Sequence, residues 1–353
     1  MRRKKLLFVS KDFGAASVMI LLAKAARDEG FNIRIIAEGP AAEQCEKSGL
    51  HVFIKYPLNF ISSNISINVR KIMDDFKLDI LITTLSTPIH IEELFGLCAN
   101  QYNVPVVFLE DFWGSHVRSS AIPSLILTLD EIGFKLAKRN LSQDIPVKIV
   151  GNHVINGNNG FLIPDKLASK IEELRCNYSP VICYAGAGIE DTLRELLFLK
   201  KCLKLTPGNW ILLPRFHPKL ENVFCDKKKE NTYGDYWTEM LDDFGEKVLY
   251  FEVEKGEWLA SLADITISGF STLLTTALFS QKNTLSITTP ENRKLMKQYT
   301  SLDSHPLVKE GLIPEIEAPC DLTPFFTSNP APAKTRIKPF NSSEALLALE
   351  QLN

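Results

Sequence analysis

Along most of this chain, short runs that are apolar at every position alternate with segments whose apolar residues fall three and four apart. Leu6 to Ser10 is such a run. Ala15, Val18, Met19, Leu22, Ala25 and Ala26 then recur at helical spacing, and Gly30 supplies a stop. The alternation continues with strands predicted at 33–37, 51–54, 80–84, 104–109, 125–129 and 147–150. Helices are predicted between them at 41–48, 66–76, 91–102 and 131–139. The strand runs lack the in–out alternation of a sheet with one wet face. They fit a parallel sheet covered by helices on both sides.

Residues 151–160 (GNHVINGNNG) break the pattern with glycine and asparagine, and a polar helix is expected at 165–174. The alternation restarts with a strand at Val181–Ala185, a helix at 190–204 and a strand at Trp210–Leu213. A polar insertion (219–240), a strand at Val248–Phe251 and a short helix at 256–262 follow. The stretch ADITISGFSTLLTTALFSQKN (263–283) then joins a buried strand to a helix, and another strand lies at Thr284–Ile287. A proline-rich tail over 314–339 reads as extended, before a last helix at 344–352. The expected architecture is α/β, with two doubly wound, Rossmann-like halves at 1–157 and 158–325 joined by a hinge near 151–165. Residues 326–353 would form a tail and terminal helix.

Composition narrows the function. Of 353 residues, Lys and Arg number 40 and Asp and Glu 42, a net charge of -2 that offers no general basic face for nucleic acid. The Lys227–Lys229 run reads as a solvated loop. Seven scattered cysteines without a C-x-x-C pair argue against a disulfide framework or a zinc site, and for a reducing compartment. The apolar stretch behind the basic start ends at Lys11-Asp12, too soon for a signal-peptide core. No run approaches the ~18 apolar residues of a membrane span. A cytoplasmic location is expected.

In open α/β sheets, ligands collect at the carboxyl ends of strands, and four such loops carry candidate chemistry. Ser268-Gly269-Phe270-Ser271-Thr272 precedes a helix whose unsatisfied N–H groups suit a phosphate, with hydroxyls from Ser271 and Thr272. The alternative is that Ser268 or Ser271 only caps the helix. Gly186 and Gly188 follow the first strand of the second half, where glycine permits close backbone approach. The third glycine of a dinucleotide fingerprint is missing, so nicotinamide binding is not supported. Arg215-Phe216-His217-Pro218 ends another strand. Its Arg215 and His217 suit phosphate oxygens or a departing phosphate, against the simpler reading of a surface turn. Glu110-Asp111 ends a strand of the first half, where one carboxylate would act as general base on an acceptor hydroxyl, against the simpler reading of a loop with one solvated acid and one helix-capping acid. Lys11-Asp12-Phe13-Gly14 offers a second candidate for the base.

Taken together, these motifs resemble the GT-B superfamily of nucleotide-sugar glycosyltransferases, over roughly residues 5–300 and as pattern more than identity. The 263–287 stretch is similar to that superfamily's donor-side segment. The His217-Pro218 pair upstream of Ser271-Thr272 resembles bacterial sialyltransferases, capsule Kdo transferases and CDP-glycerol glycerophosphotransferases. The resemblance implies two domains facing across a cleft, the acceptor on the first half and a CMP-, CDP- or UDP-linked sugar on the second. It makes Asp111 or Glu110 the base, His217 a phosphate contact or aid to the leaving group, and Ser271 with Thr272 the phosphate binders. The chain departs from the pattern at Phe112, where glycine is expected, at Thr276, where many relatives carry a ribose-binding glutamate, and at Gln281 and Asn283.

The implied activity is metal-independent transfer of a sugar to a cell-surface glycan or lipid-linked acceptor, a class compatible with peripheral membrane association. No Asp-x-Asp triplet is present, so no obligatory metal or cofactor is expected. A sugar-nucleotide 2-epimerase shares the architecture and needs no acceptor. A third reading, favoured by the substitutions at 276, 281 and 283, is a GT-B-shaped protein used for binding or assembly without catalysis.

Overall fold

The computed structural model describes residues 3–57, 65–87, 89–142, 144–155, 163–187, 192–217, 221–224, 230–253, 255–326 and 338–352. The chain divides into two compact units. The first comprises Met1–Gly157, Tyr299–Ser301 and Ile337–Asn353; the second comprises Asn158–Gln298 and Leu302–Arg336.

The first unit is a seven-stranded parallel sheet: β1 (Lys5–Ser10), β2 (Asn32–Glu38), β3 (Ile54–Tyr56), β4 (Ile80–Thr83), β5 (Val106–Leu109), β6 (Leu125–Thr128) and β7 (Val147–Ile149). They lie in the order β3-β2-β1-β4-β5-β6-β7, with Leu6 beside Ile33 on one flank of β1 and beside Ile80 on the other. The crossover helices are α1 (Phe13–Asp28), α2 (Pro40–Lys47), α3 (Ile65–Phe76), α4 (Ile91–Gln101) and α5 (Glu131–Asn140). The fully apolar strands now have their explanation. Leu6 and Phe8 of β1 pack into a core with α1, α2 and the C-terminal helix, while Leu7 and Val9 pack into a second core with α3 and α4.

The second unit is a five-stranded parallel sheet: β8 (Val181–Ala185), β9 (Ile211–Arg215), β10 (Ile265–Ser268), β11 (Asn283–Ile287) and β12 (Glu315–Ile316), ordered β12-β11-β10-β8-β9. Its helices are α6 (Asp165–Asn177), α7 (Thr192–Leu205), α8 (Tyr233–Leu241), α9 (Gly256–Leu262), α10 (Leu273–Phe279), α11 (Pro290–Thr300), α12 (Pro306–Lys309) and α13 (Thr323–Phe326). Tyr184, Leu196, Leu199, Trp210 and Trp237 anchor one of its cores.

Several elements differ from the sequence pattern. Residues 51–54 read as a strand, but pairing begins only at Ile54, where the edge strand meets Ile36. Val248–Phe251 is no strand; a single bridge joins Leu212 to Val248. The polar insertion contains α8, started by a capping box between Thr232 and Asp235. Part of the supposedly extended tail adds β12 beside β11.

The chain end belongs to the first unit. The terminal helix Ser342–Glu350 packs on α1, and Lys4 Nζ donates to the Leu349 carbonyl at 3.1 Å. Gly151 has φ +91°, and a Cβ there would lie 2.1 Å from the Pro339 carbonyl, so the returning tail seats directly against this residue. The remainder of the predicted hinge, from 156 to 162, lies outside the described residues. Among the described residues no helix is long and apolar enough to cross a membrane. Leu349 is fully buried whereas Leu347 is 55% exposed. Urea unfolding of Leu349→Ala is therefore expected to show a loss of about 2–5 kcal/mol, and Leu347→Ala a change within about 0.5 kcal/mol.

Candidate active site

In each unit the strand order reverses direction at one point. From β1 the chain adds β2 on one side and returns to β4 on the other; from β8 it adds β9 on one side and β10 on the other. Loops leaving the carboxyl ends of such a pair part in opposite directions and open a crevice.

At the β1/β4 crevice, the Asp12 N–H donates to Ser86 Oγ at 3.0 Å, and the Thr87 N–H donates to Asp12 Oδ2 at 2.9 Å. Behind them lies Glu92, fully buried on the first turn of α4. It accepts from Ser86 Oγ (2.5 Å), Thr84 Oγ1 (3.1 Å) and the Ser86 N–H (3.3 Å). Burial is the main force on its carboxyl and pushes it up to about 7; the Ser86 and Thr84 hydrogen bonds oppose the rise, and the Asp12 charge adds to it.

The acidic pair after β5 splits into two roles. Glu110 is buried with both oxygens engaged. Oε1 meets His116 Nδ1 (2.9 Å), the His116 N–H (3.1 Å) and Ser115 Oγ (3.3 Å), and Oε2 accepts from Thr128 Oγ1 (2.6 Å). It secures the tight turn Ser115–Arg118 instead of facing a ligand. Asp111 is different. Its Oδ1 is shut from solvent and accepts no hydrogen bond among the described residues, while Oδ2 lies 3.6 Å from the point where a Gly14 Cβ would sit. Burial, above all, pushes its carboxyl up to about 6, with Asp12 and Glu110 adding to the rise and Arg118 opposing it. The Arg118 guanidinium lies within the field of Asp111, Glu110, Asp12 and Glu92, and donates to the Leu85 carbonyl at 2.5 Å. Phe112, standing where glycine was expected, is buried edge-on against Trp113, and Trp113 Nε1 donates to Asp130 at 2.8 Å. These contacts hold the loop beside a carboxyl that burial brings closer to neutral pH than an ordinary aspartate.

At the β8/β10 crevice, the predicted phosphate loop divides in the same way. Ser268 is fully buried and its hydroxyl donates to the Ala185 carbonyl at 2.5 Å, bracing β10 on β8. The Gly269 N–H donates to Glu195 Oε1 at 2.9 Å, and Glu195 Oε2 accepts from Asn292 Nδ2 at 2.9 Å. Those partners leave no room for a side chain: a Cβ would lie 2.5 Å from Glu195 Oε2 and 2.8 Å from the Ile287 carbonyl. Ser271 Oγ accepts from the Leu273 N–H, at the first residue of α10, at 3.2 Å. Thr272 is half-buried and its side chain makes no capping bond.

Gly186 continues the sheet, its N–H donating to the Arg215 carbonyl at 2.9 Å; Gly188 lies outside the described residues. Arg215 lies beside Gly256, with Cγ and Nε 3.5 and 3.6 Å from a Gly256 Cβ position. Its Nη1 donates to the Phe216 carbonyl, Glu221 is 4.0 Å away, and its buried Nε has no partner among the described residues. His217 is half-buried at the end of the same strand. The Thr276 side chain is fully buried, with Oγ1 unpartnered.

Arg118, Glu92, Glu195, Asn292 and His305 were not singled out from the sequence. His305 is buried beside the Ser271 backbone, and burial pushes its ring down to about 3, so it stays neutral at any physiological pH. Glu92 and Glu195 did leave a signal: each falls on the apolar stripe of its helix, in step with Phe95 and Ala99 or with Leu196, Leu199 and Cys202. Among the described residues no three His, Cys, Asp or Glu side chains are grouped to hold a metal ion.

No family profile and no curated protein matches this sequence. Solved structures do. S. aureus MnaA in its UDP co-structure has a TM-score of 0.68 at 11% identity, covering 99% of this chain and 98% of that one. Acinetobacter baumannii MurG has a TM-score of 0.60 at 11% identity over 99% and 100% of the two chains. The fold is GT-B. Methanocaldococcus jannaschii UDP-GlcNAc 2-epimerase, in complex with UDP-GlcNAc and UDP, is a further GT-B-like neighbour at 0.63 and 13% identity over 98% and 99%. At such identities the shared property is the GT-B fold, and chemistry must be argued from the residues.

The folded Asp111 carboxyl titrates above its ordinary value, so ionising it costs the GT-B fold stability as pH rises from about 4 through about 6. Asp111→Asn removes that cost. Denaturant titrations are expected to find the variant more stable than wild type by about 1–3 kcal/mol at pH 7–8 and equal to it at pH 4. Gly269→Ala is expected to lose about 1–3 kcal/mol at either pH, because neither the Glu195 carboxylate nor the Ile287 carbonyl can yield the missing space.

Proposed function

We propose that this chain is an enzyme acting on a nucleotide sugar, with the nucleotide phosphates on the second unit and proton transfer by Asp111 on the first. The observation that carries the reading is the Asp111 carboxyl: one oxygen shut from water and unpartnered, beside Arg118, at a strand's carboxyl end, and pushed up to about 6. A carboxyl built only for stability would be paired, as Glu110 is. For the phosphates, the same argument favours Arg215, whose buried Nε is left unpartnered among the described residues beside Gly256. Ser271, Thr272, His217 and the Gly186 loop would complete that contact, with Ser268, Gly269 and Glu110 as supports.

The reaction in this reading is metal-independent glycosyl transfer. Asp111 takes the proton of an acceptor hydroxyl as it attacks the anomeric carbon, and the positive groups around α10 receive the departing phosphate. The acceptor class is a cell-surface or lipid-linked glycan. The motif likeness to sialyltransferases, Kdo transferases and CDP-glycerol enzymes would make the nucleotide CMP or CDP. UDP is the better choice, since neighbours of the same fold were solved with UDP.

A second reading is favoured by a specific observation: several neighbours are described as UDP-GlcNAc 2-epimerases. In that reading Asp111 would serve proton transfer at the sugar's second carbon, and no acceptor is needed.

The test is a thermal-shift panel of UMP, UDP, CMP, CDP, GDP and ADP, followed by product analysis with the sugar ester of the nucleotide that binds. At 100 times its dissociation constant a ligand should stabilise the fold by about 2.7 kcal/mol. UDP is expected to give the shift, and Arg215→Ala to abolish it. A product formed only with added acceptor supports transfer, and an epimer formed without one supports the second reading. Silence across the panel from folded protein would sink both.

A further inference from the structure

The first unit holds a histidine that neither the sequence motifs nor the fold likeness singles out. His90 lies just before α4, and its Nδ1 is 2.7 Å from Glu38 Oε2 at the carboxyl end of β2. Glu38 is fully buried. Lys11, 3% exposed at the end of β1, brings Nζ to 3.9 Å of Glu38 Oε1, and its carbonyl accepts from the Ala41 N–H at 3.2 Å. The His90 N–H reaches Glu92 Oε2 at 3.4 Å, and its carbonyl accepts from Glu93 and Leu94 of α4. Backbone and ring are therefore both fixed.

This arrangement has a defined consequence for the ring. A carboxylate can only accept a hydrogen bond, so Nδ1 directs its proton at Glu38 Oε2. Nε2 is the ring's second nitrogen and takes no part in that bond. It has no hydrogen-bond partner among the described residues, and the side chain is 26% exposed. A histidine serving only to cap α4 or satisfy Glu38 would not need its second nitrogen left open. The same Asp12–Ser86–Glu92 network that borders Asp111 borders His90 through Glu92.

We propose that His90, oriented by Glu38 and Lys11, is a second catalytic group of the first unit's site, accepting a hydrogen bond from a hydroxyl of the sugar substrate through Nε2. In the forward step Asp111 takes the acceptor proton as the acceptor oxygen bonds to the anomeric carbon. That carbon's bond to the phosphate oxygen breaks, the electron pair leaving with the nucleotide. The Nε2 lone pair of the neutral ring accepts a hydrogen bond from a neighbouring hydroxyl of the sugar. That hydroxyl keeps its proton while its oxygen becomes more electron-rich beside the positive charge growing at the anomeric carbon; Nδ1–H stays on Glu38 throughout. The role rests on the nucleotide-sugar reading above. Glu38, which Lys11 approaches, meets the His90 ring, and Glu92 meets its backbone N–H.

The test measures UDP release from UDP-N-acetylglucosamine between pH 5 and 9 for wild type, His90→Gln and Glu38→Gln, with spectra of 15N-labelled histidine. His90→Gln is expected to lower kcat at least about 100-fold with little change in KM, and to remove one limb of the pH profile. Glu38→Gln should keep the limb but shift the His90 Nδ1–H resonance and lower kcat less. If wild type binds the sugar nucleotide without releasing UDP, binding must move the His90 Nε2 resonance. An unchanged kcat in folded His90→Gln, or an unmoved resonance on binding, overturns the role while leaving the nucleotide-sugar reading intact. Absence of any binding by wild type removes that reading, and this role falls with it.

Discussion

A carboxylate placed inside a protein must be hydrogen-bonded or lose its charge, and each half of this chain uses that constraint to fix a strand-end loop. Glu92 in the first unit and Glu195 in the second each stand on the buried stripe of a helix, the one that follows β4 or β8. Each reaches the loop beside its sheet's switch point and gathers donors from it: Ser86 and Thr84 in one case, Gly269 and Asn292 in the other. Hydrophobic burial assembles the sheets, but it is non-directional and would leave these loops free to shift. The buried acids give them one position.

With the loops held from beneath, polar groups at the strand ends sort into those already engaged and those left open. Glu110 and Asp111 are neighbours in sequence and of like chemistry. One is spent on the turn at Ser115–Arg118, and the other keeps an unpartnered oxygen. Ser268 braces two strands while Thr272, four residues on, makes no capping bond. The Arg215 Nε is likewise open. Unmet hydrogen-bonding capacity of this sort costs a fold stability, which the paired neighbours at the same strand ends do not.

GT-B architecture is kept here at 11–13% identity to solved neighbours because a doubly wound sheet asks little of individual residues. It needs apolar strands, amphipathic helices and turns, and many sequences supply them. The positions that are not interchangeable are few. Gly151 and Gly269 are two, each with a carbonyl where a Cβ would stand. At both, the packed backbone leaves no room for a side chain.

The sequence alone determined the α/β class, the repetition of one architecture and most strand positions, because continuous apolar runs and helical periodicity are local consequences of burial on two faces. It also marked the strand-end loops where polar chemistry gathers. It placed the edge strand three residues early and read Val248–Phe251 as paired, since pairing at a sheet edge depends on the neighbour and not on the run itself. Which of Glu110 and Asp111 is open, why residue 269 is glycine, and that His90 meets Glu38 across 52 residues were decided only by tertiary structure. Those outcomes depend on which donors the folded chain brings to within about 3 Å of a buried oxygen or nitrogen. Local pattern carries no such distances.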